Sequence, residues 1–112
     1  MTDRGPVLTQ LMAVIEDRKA NLPEKSYTTE LFRGGAAKIG AKILEEAGEV
    51  VEAAGESGAE GRRHLVCESA DLIYHLLVML GHRQVKLTEV EAELARRFGV
   101  SGIEEKASRG DV

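Results

Sequence analysis

Apolar positions along this chain recur every three or four residues, and no useful stretch alternates with period two. Val7, Leu8, Leu11, Met12 and Ile15 share one helical face, which predicts a first helix over about residues 6–20, with Pro6 in its first turn. Asn21 to Ser26, containing Pro23, reads as a loop. Tyr27 to Arg33 reads as a short helix or turn stopped by Gly34 and Gly35. A long helix follows from about Ala36 to Ala54. At about 100° per residue its Ile39, Ile43, Ala47, Val50 and Ala54 fall on one side, and Lys38, Lys42, Glu45, Glu46, Glu49 and Glu52 on the other. Gly55 to Gly61 is expected to be a flexible connection. A further helix covers about Arg62 to Arg83. Thr88 with Glu91 three residues later has the form of a capping box opening a last helix, which carries Val90, Leu94 and Phe98 and ends at Gly99. The expected fold is an all-α helical bundle of about four helices plus a short one, with no sheet.

The Arg62–Arg83 helix changes this picture most. Leu65, Val66, Leu72, Ile73, Leu76, Leu77, Met79 and Leu80 cover most of its circumference, so it calls for burial on several sides. One chain of 112 residues has few helices to supply that cover. A homodimer or larger homo-oligomer is therefore expected, with the bundle completed by dimerisation.

Length fits a single domain over residues 1–112, with a polar tail from Val100 to Val112 expected to be mobile. The formal net charge of −4 argues against nucleic acid as the main partner. A lone Cys67 excludes an intrachain disulfide and fits a reducing compartment; within an apolar helix it reads as core rather than nucleophile. The first apolar stretch is interrupted by Thr9 and Gln10, unlike a signal peptide, and the Leu72–Leu80 run is too short to span a bilayer. A cytoplasmic protein without membrane attachment is expected.

The candidate chemistry lies in two acidic runs, Glu45-Glu46-Ala47-Gly48-Glu49 with Glu52 beyond it, and Glu68-Ser69-Ala70-Asp71. Acids three and four apart share a helix face and repel one another. For any single glutamate the ordinary explanation is a solvated face, and Glu45 and Glu52 fit that explanation. Asp71 is harder to place so: it is a poor helix former in mid-helix, beside Leu72 and Ile73, which look buried. Two such faces brought together call for a cation, and a set of carboxylates suits Mg²⁺, which goes with phosphate chemistry. Lys38 and Lys42 precede the first run by successive turns; they either pair with nearby acids or bind phosphate. His64, His75 and His82 lie on the stripe of Glu68 and Asp71, but their spacings match no zinc motif. His75 reads as a hydrogen-bonding or substrate-contacting residue, and His64 and His82 as exposed near the helix ends. The run Gly35 to Lys42 fails as a P-loop, since the lysine comes one place late, no Ser or Thr follows it and no strand precedes it. With no nucleophile motif present, direct attack by metal-activated water is the expected chemistry.

Glu45-Glu46-x-x-Glu49 followed by Glu68-x-x-Asp71 resembles the acidic signature of the all-α, MazG-like nucleotide pyrophosphohydrolases. Ser26-Tyr27-Thr28, Leu31-Phe32, Gly35, Lys38-Ile39, Lys42 and Asp71-Leu72-x-Tyr74-His75 narrow the resemblance to the phosphoribosyl-ATP pyrophosphohydrolases of histidine biosynthesis. The tail Gly102 to Arg109 is similar to tails in that family, and the resemblance spans roughly residues 7–109. It implies a stand-alone, two-chain helical enzyme that converts phosphoribosyl-ATP and water to phosphoribosyl-AMP and pyrophosphate. Glu46, Glu49, Glu68 and Asp71 are the expected magnesium ligands. Glu45 is a candidate base, so that Glu45, Glu46 and Glu49 form the expected catalytic run. Lys38 and Lys42 are expected on the phosphate chain, and Tyr27, Tyr74 and His75 as substrate-positioning residues. Two other functions fit less of the pattern: a house-cleaning (d)NTP pyrophosphohydrolase using the same acids, and a non-enzymatic helical interaction module with a cation-binding surface.

Overall fold

The computed structural model describes residues 5–99. They form four helices and, among the described residues, no strand: α1 (Val7–Ala20), α2 (Tyr27–Ala54), α3 (Gly58–His82) and α4 (Leu87–Phe98). The all-α expectation holds, while the predicted tail lies outside the described residues.

The Gly34–Gly35 stop is seen as a break inside α2. Gly35 has φ 69° and ψ −164°, a conformation essentially closed to residues with a Cβ, so Tyr27–Gly34 takes its own direction ahead of the long segment. Ser26 caps that first segment, its Oγ accepting from Thr29 N–H at 3.4 Å. Thr29 in turn donates its hydroxyl to Pro23 O at 2.6 Å, tying the loop to the helix.

The core forms where α1, both segments of α2 and the second half of α3 meet. Met12, Ile15, Leu31, Phe32, Ile39, Leu77 and Val78 are buried together, with Leu11, Ile43, Tyr74, Met79, Leu80 and Leu87 packed around them. Lys19 adds a polar tie. Its ammonium donates to Gly81 O at 3.0 Å and His82 O at 2.8 Å, which satisfies carbonyls left open at the C-terminus of α3 and opposes its dipole.

Several local expectations are corrected. Gly55 to Gly61 is not a long connection, because α3 already begins at Gly58. Gly61 lies inside α3 rather than in a connection, and it is a contact glycine: a Cβ there would lie 2.7 Å from the backbone C and O of Glu56, so only glycine lets the turn settle on α3. The last helix opens at Leu87, and Glu89 accepts from Lys86 N–H at 2.9 Å, so the Thr88–Glu91 pair is not its cap. Cys67 and Ile73 are exposed rather than core, because α1 and α2 leave those parts of α3 uncovered, and Asp71 is exposed at the edge of the acids that α3 shares with α2. Ala53, not Ala54, closes the buried face of α2.

Over an 18-residue window α3 reaches a mean hydropathy of 1.2, so by length and composition it is apolar enough to cross a membrane. Its Glu68, Asp71 and His75, however, form a polar stripe gathered around Glu46 of α2, as befits the central helix of a bundle.

Two glycines of α2 should respond to alanine with opposite signs. Gly35→Ala forces a side chain into the left-handed region and should destabilise by about 1–3 kcal/mol. At Gly40 a Cβ would meet only the tip of Met79 at 3.8 Å, so Gly40→Ala should stabilise by about 0.5–1 kcal/mol. Denaturant titration of the two variants measures both; equal signs would contradict the break at Gly35.

Candidate active site

Helices α2 and α3 lie side by side, and their facing acids form two clusters with one member in common. Carboxylate oxygens of Glu45, Glu46 and Glu49 lie within 4.8 Å of one another, as do those of Glu46, Glu68 and Asp71. The spacings explain this: Glu45, Glu46 and Glu49 occupy one turn of α2, and Glu68 and Asp71 one turn of α3. Glu46 is the shared residue because it points between the helices, with only 5% of its surface exposed.

A buried carboxylate needs a partner. Glu46 Oε1 lies 2.9 Å from Nδ1 of His75, itself buried. The same nitrogen lies 2.9 Å from the backbone oxygen of Asp71, one helical turn earlier. Both neighbours are acceptors, so Nδ1 carries the proton and donates. On the other side of the ring, Nε2 lies 2.7 Å from the Tyr27 hydroxyl, which donates to it when the imidazole is neutral. Tyr27, His75 and Glu46 thus form a chain from half-exposed ring to buried acid. Tyr74 braces it: its ring stands edge-on to His75 at 5.1 Å and its hydroxyl bonds Thr28 Oγ1 at 2.6 Å.

The acids strain one another. Burial, followed by the charges of Glu68, Glu46 and Glu45, pushes the Glu49 carboxyl above its ordinary value. Glu68 Oε1 is buried without a hydrogen-bond partner among the described residues. Such an orphan oxygen in a native interior calls for an explanation. A donor set made only of carboxylate oxygens, one of them unsatisfied, is what a hard divalent cation such as Mg²⁺ takes.

The expected site residues separate under this geometry. Glu45, Glu46, Glu49, Glu68 and Asp71 come together as anticipated. Lys42 stands at the edge of the cluster, 3.4 Å from Glu45, whose hydrogen bond holds the ammonium above its ordinary value. Lys38 instead reaches Glu30 at 3.9 Å, away from the acids. Tyr27 offers a half-exposed ring next to Lys42, Glu45 and Glu46, and burial raises its hydroxyl above the ordinary value. His75 and Tyr74 stand behind the acids and support them; His75 is too deeply buried to be a surface for substrate. His64 was expected to be a solvent-facing residue near a helix end, yet it bonds Glu68 at 3.3 Å and Glu56 at 3.0 Å. Its i, i+4 spacing to Glu68 is visible in the sequence, but the approach of Glu56 depends on the turn.

The model of the phosphoribosyl-ATP pyrophosphohydrolase family matches residues 8–98. The chain is 54% identical over 102 residues to the phosphoribosyl-ATP pyrophosphatase of Rhodopirellula baltica, covering 91% of this chain and 85% of that protein. It is 49% identical over 111 residues to the phosphoribosyl-ATP pyrophosphatase of Geobacter sulfurreducens, covering 99% of this chain and all of the other. With the protein of that name from Paramagnetospirillum magneticum it shares 50% identity over 109 residues, 97% of each chain. A family model matching residues 8–98, with relatives about half identical over nearly the full length, leaves one assignment: this chain belongs to the phosphoribosyl-ATP pyrophosphohydrolase family.

Proposed function

We propose that this chain is a Mg²⁺-dependent hydrolase that splits phosphoribosyl-ATP into phosphoribosyl-AMP and pyrophosphate, the second step of histidine biosynthesis. The observation that carries this is the pair of carboxylate clusters joined at Glu46, with the unsatisfied Glu68 oxygen beside them, in a chain whose relatives bear the name of that reaction. Glu46, Glu49, Glu68 and Asp71 would hold the ion. Bound Mg²⁺ supplies charge neutralisation for the phosphate chain and makes water a better nucleophile.

The protein's own groups supply the rest. His75 holds Glu46 in place by donating to it, with Tyr27 and the Asp71 carbonyl fixing the ring. Lys42 can exchange Glu45 for a phosphate oxygen on binding, which frees an exposed carboxylate to accept the proton of the attacking water. Water then adds its oxygen to phosphorus, the bond between the α- and β-phosphates breaks, and pyrophosphate leaves. Lys38, paired with Glu30 some way off, has the weaker claim on substrate. The half-exposed Tyr27 ring is placed to position the substrate beside this site.

We further propose that the working unit is a homodimer or larger. Leu44 and Val51 on α2 are 76% and 74% exposed, and Val66, Ile73 and Leu76 on α3 are also exposed. The radius of gyration is 17.0 Å, against about 13 Å for a compact domain of 100 residues. Both facts favour a bundle completed by another copy. Sedimentation at micromolar concentration should give a dimer or larger; a compact, active monomer would refute this.

The direct test of function is turnover of phosphoribosyl-ATP with Mg²⁺, with products separated by chromatography and a (d)NTP panel run alongside. Preferential release of pyrophosphate from phosphoribosyl-ATP is expected, and Glu49→Gln and Asp71→Asn should nearly abolish it while leaving the helices intact. Near-normal activity in either variant would sink the site assignment. In chelator, Glu49→Gln should melt above the parent at pH 7. The raised carboxyl of Glu49 means that the folded state loses its proton at a cost the unfolded chain does not bear. That cost is complete above the raised folded value, fades as pH falls from there toward the ordinary value of 4.5 and is absent below it, so the gain should shrink and vanish in acid.

Lys42→Met removes the charge and keeps much of the stem. Catalytic efficiency should fall about ten- to a hundredfold, the loss of a charge-assisted hydrogen bond. Stability should hardly change, since the Lys42–Glu45 pair is exposed. Kinetics and melting on the same variant decide it; unchanged kinetics with a lower melting temperature would reduce Lys42 to a surface ion pair.

A further inference from the structure

A carboxylate–imidazole pair stands behind Glu68 and has no part in the chemistry described so far. Both carboxylate oxygens of Glu56, in the turn between α2 and α3, lie near Nδ1 of His64, at 3.0 and 3.1 Å. The other ring nitrogen, Nε2, lies 3.3 Å from Glu68 Oε2. Nδ1 faces only acceptors, so it donates to Glu56, and Nε2 faces a carboxylate that can only accept. The ring thus spans two acids, and Glu68 is engaged on one oxygen while its other, Oε1, is buried without a partner among the described residues.

The turn is shaped for this contact. Glu56 N–H bonds Ala53 O at 3.1 Å, and its backbone rests on Gly61, where a Cβ would stand 2.7 Å from Glu56 C and O. Gly61 therefore seats Glu56 one turn before His64, and His64 lies one turn before Glu68.

We propose that Glu56 and His64 are positioning residues for Glu68: they hold Oε2, fix the carboxylate's direction and present Oε1 to the divalent cation. This rests on the proposed cation site. Partners behind a metal ligand typically account for about ten- to a hundredfold in affinity. Electrostatics alone predicts no such loss, because an imidazole next to the site repels a cation wherever it is protonated, and its removal could then only strengthen cation binding. The sign of the effect therefore separates positioning from charge.

The test uses the full chain of His64→Ala, His64→Gln and Asp71→Asn, with Mn²⁺ binding followed by electron paramagnetic resonance of the free ion, without substrate. His64→Ala should weaken Mn²⁺ binding by about tenfold or more and raise the Mg²⁺ concentration for half-maximal turnover by a like factor. At saturating Mg²⁺ its kcat and substrate KM should stay within about threefold of the parent, since the residue acts through the ion's ligand and not on the reacting atoms. His64→Gln, whose amide can still donate to Glu68, should recover part of the affinity. Glu56→Ala should weaken Mn²⁺ in the wild type and add little to His64→Ala, the signature of two residues acting in one chain. Unchanged or tighter Mn²⁺ binding in His64→Ala overturns the proposal, as does a lower melting temperature in chelator with parental Mn²⁺ affinity, which would make the pair a structural tie. Asp71→Asn separates the two levels. If it too leaves Mn²⁺ binding intact, the cation site itself fails; if it abolishes binding while His64→Ala changes nothing, only the positioning role fails.

Discussion

One buried carboxylate sets the terms for the rest of the fold. Glu46 sits at the α2–α3 interface with almost no exposure, and an ionised group there costs several kcal/mol unless it is paired and hydrogen-bonded. His75 is the partner, and it can serve only when α2 and α3 are in the register that sets residue 46 against residue 75. That register gathers the acids: with Glu46 facing His75, Glu68 and Asp71 on the adjacent turns of α3 must meet the acids of α2. The clustering is a consequence of one pairing, not of separate attractions, since every other contact between these acids is repulsive.

The same pairing reaches to the start of α2. The outer nitrogen of His75 is met by Tyr27, and Thr28 meets Tyr74 beside it, so the first turn of α2 must lie against the middle of α3. A straight helix leading to Glu46 would not be free to choose that course. The break at Gly35 gives Tyr27–Gly34 its own direction, and Leu31 and Phe32 anchor that segment in the core. The Ser26 cap and the Thr29–Pro23 bond then fix where the segment begins. Small polar residues of this stretch are thus tied to the acid cluster through two aromatic hydroxyls, although none of them touches an acid.

Periodicity made the helices, the break at Gly34–Gly35 and the gathering of the acids legible in the sequence, because each depends on spacing along one helix. What depends on approach between elements was not legible. Glu45 and Glu46 are adjacent and alike, yet one is exposed and the other buried, and only the angle between α2 and α3 decides which. His75 read as a hydrogen-bonding or substrate-contacting residue; that its partner is Glu46 could not be read, because the pairing depends on which helix its stripe faces. Gly61 read only as the end of a flexible connection, because its role as a seat for Glu56 arises in a turn that does not exist until α3 has formed. Cys67 and Ile73 looked buried because apolar neighbours surround them in sequence, but α1 and α2 cover only part of α3.

The two uncovered features of the molecule bear on each other. The acid clusters repel, and their neighbouring cations are few: Lys42 reaches Glu45, and His64 reaches Glu68 from behind. Neither lies between the acids, so neither removes the repulsion that, after burial, holds the Glu49 carboxyl above its ordinary value. The apolar residues of α2 and α3 that neither α1 nor the other helix covers are a second cost of leaving the chain alone in water. A cation between the acids and another copy of the chain over the apolar face would each add stability in proportion to how tightly they bind. Without either, the shared core and the Glu46–His75 pair are what hold α2 against α3. The buried Glu68 oxygen, without a hydrogen-bond partner among the described residues, marks where the closure of α2 on α3 is incomplete.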